Sequence, residues 1–153
     1  MTIVKHLKDS SSQRLPKKQS PYWIKNMVNL IPSLLLASLL GTYLDLFFIG
    51  KGLYSFPIRP MSSIFSINIA FTLIGLPLVI GVFLYVCNKI NFLQKVGLII
   101  IFSLLMAVVE KLAEAVGLFV HVDGWKHLYS FYGYIIYLSV IYTFFHWSKR
   151  TLF

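Results

Sequence analysis

Four apolar stretches alternate with short polar segments along the chain. They lie near residues 26–49, 62–87, 96–119 and 127–147. Each is close to the roughly 20 residues that a helix needs to cross the ~30 Å hydrocarbon core of a bilayer. The pattern predicts an all-α fold, in which residues 22–153 form an integral membrane four-helix bundle.

Residues 1–21 have a different character, because the segment MTIVKHLKDSSSQRLPKKQSP is polar, basic and rich in serine. It holds too few apolar residues to fold alone. Its density of cations suits the anionic lipid headgroups of a cytoplasmic leaflet. We therefore expect a tail that is disordered or adsorbed at the membrane surface.

The composition supports the membrane interpretation. Hydrophobic residues make up 58% of the chain, charged residues only 12%, and the mean hydropathy of +0.76 is too high for a soluble domain of this size. The net charge of +9 could suggest nucleic acid, but the cations concentrate in the tail and at the helix ends. We expect the lipid bilayer as partner, with a homo-oligomer or a protein partner left open, and no nucleic acid. The single cysteine, Cys87, excludes an intramolecular disulfide.

The lysines and arginines outside the apolar stretches indicate the orientation. If the N-terminus is cytoplasmic, ten of them lie inside, and Lys51, Arg59 and Lys126 lie outside. Positive residues favour the cytoplasmic side of a membrane. The count predicts a multi-pass plasma membrane protein with both termini in the cytoplasm.

The third apolar stretch carries Glu110, Lys111 and Glu114 near its end. An uncompensated charge in a membrane helix costs about 2.5 kcal/mol or more, so such side chains normally face the bundle interior, water or a partner. Glu110 and Glu114 are four residues apart and share one helical face, which Gly117 and His121 continue if the helix runs on.

In this topology every acidic residue except Asp9 falls in the outer half of the membrane or beyond it. The sequence thus predicts an outward-facing polar cluster that ties the bundle together or binds a small ion or polar ligand. Glu110 and Glu114 would be its central carboxylates, and His121 and His127 its titratable gate residues. The candidate ligand- or ion-binding residues are Asp45, Asn68, Glu110, Glu114, His121, Asp123, Lys126 and His127.

In the purely structural alternative, Glu110 pairs with a tyrosine or a lysine, and Asp45 pairs with Lys51 or Arg59. The outer tyrosines of the fourth stretch are suitable hydrogen-bond donors for Glu110, Asp45 or Asn68. These tyrosines are Tyr129, Tyr132 and Tyr134.

Two functional alternatives remain open. An ion- or proton-coupled transporter subunit would have to act as an oligomer, because four helices leave little room for a solute path. A membrane enzyme acting on lipids or cell-envelope precursors is the third hypothesis. However, no serine or cysteine has a histidine at a spacing that suggests a nucleophile and its base, so we assign no catalytic residue and favour a non-enzymatic role.

Two local segments were compared with known binding motifs. EKLAEAVGLFVHVDGWKH contains neither the His-Glu-x-x-His motif of zinc enzymes nor the paired Glu-x-x-His motifs of di-iron bundles, so we expect no metal centre and no cofactor. GKGLYSFPIRP lacks the phosphate-loop pattern, but Lys51 and Arg59 within it are candidate contacts for an anion or a lipid headgroup.

As a set, TYLD (42–45), GKGLYSFPIRP (50–60), EKL (110–112) and HVDGWKHLYSFYGY (121–134) resemble a family of small, uncharacterised multi-pass membrane proteins of endospore-forming Gram-positive bacteria. The resemblance covers roughly residues 40–147. It implies a multi-pass architecture and a cell-membrane location, but no activity, cofactor or functional residue.

Overall fold

The protein is described by a computed structural model that covers the backbone of residues 22–151 and the side chains of residues 28–151. The predicted basic tail, 1–21, lies outside the described residues. Within them, the chain is mostly helical, as the sequence predicts.

Four α-helices and two very short strands make up the described chain. The helices are α1 (Tyr22–Gly50), α2 (Leu76–Cys87), α3 (Phe92–Ala115) and α4 (His127–Thr151), and a π-helical turn (Phe71–Gly75) leads into α2. The strands are β1 (Tyr54–Ser55) and β2 (Val120–His121).

Three of the helices are long and apolar enough to cross a membrane: Val28–Gly50, Phe92–Ala115 and His127–Thr151. The continuous helical segment Phe71–Cys87 is equally apolar but shorter, about 25 Å at 1.5 Å per residue. Large apolar side chains such as Leu35 point away from the protein on the outer faces of these helices. Exposed apolar faces of this extent suit contact with lipid hydrocarbon.

The second helix begins later than the predicted residue 62. Residues 61–68 form turns and irregular structure instead, and Met61, just before the predicted start, has a left-handed φ of 51°. Asn68 then caps the helical segment, since its Oδ1 accepts a hydrogen bond from the backbone N–H of Phe71 at 3.2 Å. The capping residue, and not the start of the apolar stretch, determines where this helix begins.

The third helix ends at Ala115, four residues before its predicted end at 119. Gly117 adopts a φ of 74°, and the backbone N–H groups of Gly117 and Leu118 donate to the carbonyls of Glu114 and Ala113. This is the Schellman arrangement, which closes a helix with a left-handed glycine. The face that carries Glu114 is therefore not continued by helix.

The two strands connect the loop after α1 to the loop after α3. They pair antiparallel, with Tyr54 opposite His121 and Ser55 opposite Val120. Consequently both loops lie at one end of the helices. The paired strand β2 places His121 next to the end of α3.

The hydrophobic core lies between α1, α2 and α4. Its buried residues are Ala37, Leu76, Ile80, Phe83, Leu84, Cys87, Leu138, Ile141 and Phe145. Helix α4 packs against both α1 and α3, and Phe102 of α3 contacts the ring of Phe83. Helix α4 therefore joins the core to the end of α3 that carries the carboxylates.

Gly41 allows α1 to approach the start of α2. An alanine methyl at this position would overlap Cδ2 of the buried Leu76, whereas a methyl at Gly133 of α4 meets no atom within 4 Å. Gly41→Ala should therefore lower the free energy of unfolding by about 1–3 kcal/mol, the usual cost of overpacking. Thermal unfolding in detergent would measure the change. Gly133→Ala is the matched control, and equal melting temperatures for the two variants would contradict the close packing.

Candidate functional site

The site is built around the buried carboxylate of Glu110. This residue lies 18 positions after Phe92, about 27 Å along α3, and its side chain is only 9% exposed. Its Oε2 accepts a hydrogen bond from the Tyr134 hydroxyl at 2.7 Å, and its Oε1 accepts one from the Ser130 hydroxyl. Ser130 and Tyr134 are four residues apart and thus present both donors on one face of α4.

Trp125 extends this arrangement toward the loop. Its indole N–H donates to the Ser130 Oγ at 3.1 Å, so a chain of hydrogen bonds runs from Trp125 through Ser130 to Glu110. The indole also stacks on the imidazole of His121, with ring centroids 5.0 Å apart and planes inclined by 11°. Trp125 therefore positions both a donor to Glu110 and the neighbouring histidine.

His121 lies between the two carboxylates of α3. Its side chain is 4% exposed; its Nε2 lies 3.2 Å from Glu110 Oε1 and its Nδ1 lies 3.3 Å from Glu114 Oε1. The backbone N–H of His121 also donates to Glu114 Oε1 at 3.3 Å. Strand pairing with β1 holds the backbone, so the ring position is fixed from both sides.

His127, the first residue of α4, completes the group. Its Nδ1 lies 3.8 Å from Glu110 Oε1, and its Nε2 lies 3.4 Å from Glu114 Oε2. The side chains of His127 and Glu114 are 36% and 32% exposed, whereas those of His121 and Glu110 are nearly inaccessible. The four residues form a carboxylate–imidazole cluster with an inner pair and an outer, solvent-accessible pair.

Two ring nitrogens in this cluster are buried without a hydrogen-bond partner among the described residues. They are Nε2 of His121 and Nδ1 of His127. Both are the nitrogens closest to Oε1 of Glu110, and their geometry does not meet hydrogen-bond criteria with it. Buried polar atoms are nearly always satisfied in folded proteins, so these two atoms require an explanation.

A partly buried carboxylate, Asp45 of α1, lies beside the cluster. The Tyr54 hydroxyl donates to its Oδ1 at 2.5 Å, and the Tyr54 ring makes an edge contact with His121. Burial, together with the neighbouring Asp45 carboxylate, raises the pKa of the Tyr54 hydroxyl well above its ordinary value. Tyr54 therefore remains a donor, and Asp45 has a partner that is neither Lys51 nor Arg59.

Other predicted site residues lie outside the cluster. Asn68 uses its side chain to cap a helix, and Asp123 and Lys126 are exposed around the turn before α4. Lys51 is exposed and lies over the Phe47 ring. The guanidinium of Arg59 donates to three backbone carbonyls of its own loop. An anion or headgroup contact for Lys51 and Arg59 stays a prediction.

Three residues that shape the site were not predicted from the sequence: Tyr54, Trp125 and Ser130. Tyr134, by contrast, was among the tyrosines predicted to donate to Glu110. Ser130 lies four residues before Tyr134, about one helical turn. That spacing is the signal in the sequence that could have identified Ser130 as a second donor. Tyr129 and Tyr132 are exposed on other faces of α4.

Tyr134 and Tyr137 allow the charge of the site to be tested. The Tyr134 hydroxyl donates to a carboxylate, whereas the Tyr137 hydroxyl donates to the backbone carbonyl of Ala37 at 2.7 Å. A hydrogen bond to a charged group contributes about 1.5–3 kcal/mol, against about 0.5–1.5 kcal/mol for a neutral one. Tyr134→Phe should therefore reduce the free energy of unfolding about twice as much as Tyr137→Phe in parallel unfolding titrations. Equal losses would show that the contact with Glu110 is no stronger than a hydrogen bond to a backbone carbonyl.

The fold and the site define a class: a small helical protein with three membrane-length helices and a partly open carboxylate–imidazole cluster at one end of them. Comparison of the chain with protein families, with curated proteins and with solved structures gives no match.

Proposed function

We propose that the chain is a multi-pass plasma membrane protein, a four-helix bundle with both termini in the cytoplasm, whose outward-facing cluster binds a small ion or polar ligand. It would belong to the family of endospore-former membrane proteins that its sequence resembles. The observation that carries the binding role is the pair of unpartnered imidazole nitrogens directed at the buried Glu110 carboxylate.

The distribution of charge supports the orientation. One end of the helices carries Lys89 in the loop between α2 and α3, Lys95 in the first turn of α3, and Lys149 and Arg150 at the end of α4, with no acidic residue among the described residues of that end. The opposite end also carries four cations, which are Lys51, Arg59, Lys111 and Lys126. All described acidic residues lie at or near the opposite end, together with the two paired loops. The difference between the two ends comes from the sequence before and at the start of α1, where six further lysines and arginines precede residue 26. Cations favour the cytoplasmic side, which directs the cluster outward.

The unpartnered nitrogens favour binding over a purely structural role. Polar groups that only connect helices gain stability by forming hydrogen bonds with one another. Here the Oε2 atom of Glu110 and the Nδ1 atom of His121 have hydrogen-bond partners. The Nε2 atom of His121 and the Nδ1 atom of His127 do not. The outer pair, Glu114 and His127, is about one-third exposed and offers access from solution.

Native mass spectrometry of the protein released from lipid nanodiscs tests the binding role. We expect a stoichiometric adduct on the wild-type protein that disappears in Glu110→Gln, a substitution that keeps an acceptor for Tyr134 but removes the charge. Asp123→Asn, which changes an exposed carboxylate in the neighbouring turn, is the control and should retain the adduct. A bare protein in all three spectra would reject binding and leave Glu110 as an interhelical contact.

Cysteine labelling tests the orientation. Cys87 itself is only 1% exposed, so it should be replaced by serine and single cysteines introduced through Lys89→Cys and Lys126→Cys. With a membrane-impermeant maleimide, intact cells should label the Lys126→Cys variant alone, and permeabilised cells should label both. The reverse pattern in intact cells would turn the cluster toward the cytoplasm.

A further inference from the structure

We propose that the cluster is a binding site for a divalent transition metal ion, with Zn²⁺ the best match, held by Glu110 Oε1, His121 Nε2 and His127 Nδ1. This inference rests on the proposed binding function and names its ligand class. The three ligand atoms all lie within 4.8 Å of one another.

The distances suit a tetrahedral ion. Zinc binds imidazole nitrogen and carboxylate oxygen at about 2.0–2.2 Å, which places the ligand atoms of a tetrahedral site about 3.3 Å apart. Glu110 Oε1 lies 3.2 Å from His121 Nε2 and 3.8 Å from His127 Nδ1. Both distances are within about 0.5 Å of this tetrahedral value. The ligand atoms of the two histidines lie within 4.8 Å of each other, so the two imidazoles must approach one another for all three atoms to enter one coordination shell.

One tautomer of His121 leaves two acceptor atoms facing each other. When the ring is neutral and its proton is on Nδ1, that nitrogen donates to Glu114 Oε1 at 3.3 Å. In the neutral ring, Nε2 then presents a lone pair to the Glu110 carboxylate oxygen at 3.2 Å, which is repulsive unless a cation lies between them. A metal ion at this point satisfies both atoms.

The surrounding groups resemble the outer shell of known metal sites. Ligating histidines usually donate their other N–H to a carboxylate, and ligating carboxylates are themselves hydrogen-bonded. Glu114 oxygens lie within 3.4 Å of His121 Nδ1 and of His127 Nε2, which are the ring nitrogens that do not face the proposed metal. Tyr134 and Ser130 donate hydrogen bonds to Glu110. Glu114 is accordingly a positioning residue that orients the two imidazoles.

The donor set selects the class of ion. Two imidazoles and one carboxylate suit zinc and other first-row transition metals, whereas calcium and magnesium prefer oxygen ligands alone. Three protein ligands leave a fourth position of the tetrahedron open. A water molecule would fill this position, and the partial exposure of His127 and Glu114 gives an ion access to the cluster from solution.

Metal content and a cobalt spectrum test the proposal on the full chain in nanodiscs. After incubation with Zn²⁺ and dialysis, we expect one zinc per chain by elemental analysis, and the strong visible absorption of tetrahedral Co²⁺ after cobalt loading. His121→Ala and His127→Ala should each abolish both signals. Glu114→Gln should weaken zinc binding roughly 10–100-fold. His146→Ala removes an exposed histidine far along α4 and is the matched control, which should keep both signals.

A separate measurement on the wild-type protein does not depend on whether the variants fold. Zn²⁺ should raise the melting temperature of the wild-type protein, since a ligand that binds only the folded state stabilises it, and Mg²⁺ should not. Substoichiometric zinc, or equal zinc in wild type and His121→Ala, would overturn the metal site. A non-metal adduct that Glu110→Gln removes would preserve the proposed binding function while rejecting the metal. The absence of any adduct would reject both.

Discussion

The Glu110→Ala substitution should lower the free energy of unfolding by about 3–5 kcal/mol, the range observed when one partner of a buried charged network is removed. Truncation would leave the hydroxyls of Ser130 and Tyr134 facing a cavity in place of the carboxylate. Each buried polar group left without a partner costs about 1–3 kcal/mol, so the costs of these groups add in the free energy of unfolding.

Equilibrium unfolding in mixed detergent micelles would measure this loss. Lys111→Ala is the matched control, because Lys111 is the next residue of α3, is exposed and makes no hydrogen bond or ion pair with the described residues. It should change the free energy of unfolding by no more than about 0.5 kcal/mol. The loss in the free energy of unfolding for Glu110→Gln should lie between those of Glu110→Ala and Lys111→Ala. A loss in Glu110→Ala no larger than in Lys111→Ala would show that the carboxylate does not join α3 to α4.

The helical content of the fold was predictable because lipid imposes a strong and simple constraint. A segment that crosses hydrocarbon must satisfy its backbone internally, so long apolar stretches become helices. The predicted fourth stretch, 127–147, and α4 begin at the same residue, His127. The sequence does not by itself establish how the helices are arranged as a bundle or how the chain is oriented in a membrane.

Helix boundaries were less predictable, because they depend on local backbone geometry and not on hydrophobicity. The apolar stretch from 62 suggested helix, yet residues 61–67 form turns and bends, and the helix begins only after the cap at Asn68. At the other end of α3, Gly117 closes the helix early. Glycine is a recognisable stop signal, so this second boundary could have been placed from the sequence.

The central carboxylates of the site were predictable from helical spacing, but their partners were not. Glu110 and Glu114 share a face of α3, as four-residue spacing requires, and the structure places both against histidines. His121 reaches Glu114 through a two-residue strand, and pairing this short leaves no signal in the sequence.

The proposed metal ligands show the same limit. Motifs such as His-Glu-x-x-His are recognisable because one helix supplies both histidines at a fixed spacing. Here the three ligands come from α3, β2 and α4, each contributing one. Such a set becomes visible only after tertiary folding, which is why the sequence led to the expectation of no metal centre.

Trp125→Ala should produce the second large effect, a loss of about 3 kcal/mol in the free energy of unfolding, at the lower end of the cost of truncating a packed tryptophan. The indole stacks on His121, makes edge contacts with Phe48 and Tyr129, and donates to Ser130. Its removal would take away the stacking partner of the His121 ring and the hydrogen bond to Ser130, the residue that donates to Glu110. The same variant should therefore also weaken ligand binding at the cluster.

Trp147→Ala provides the matched control within the same protein. Trp147 lies near the opposite end of α4, is 58% exposed, and has one ring contact among the described residues, with Phe144. Its truncation should cost less than about 1 kcal/mol, since a mostly exposed side chain leaves no buried cavity. Unfolding of both variants in the same micelles would compare them directly. If the two losses were equal, the stacking of Trp125 on His121 would not stabilise the cluster. The position of His121 would then depend on strand pairing and on its contacts with Glu114.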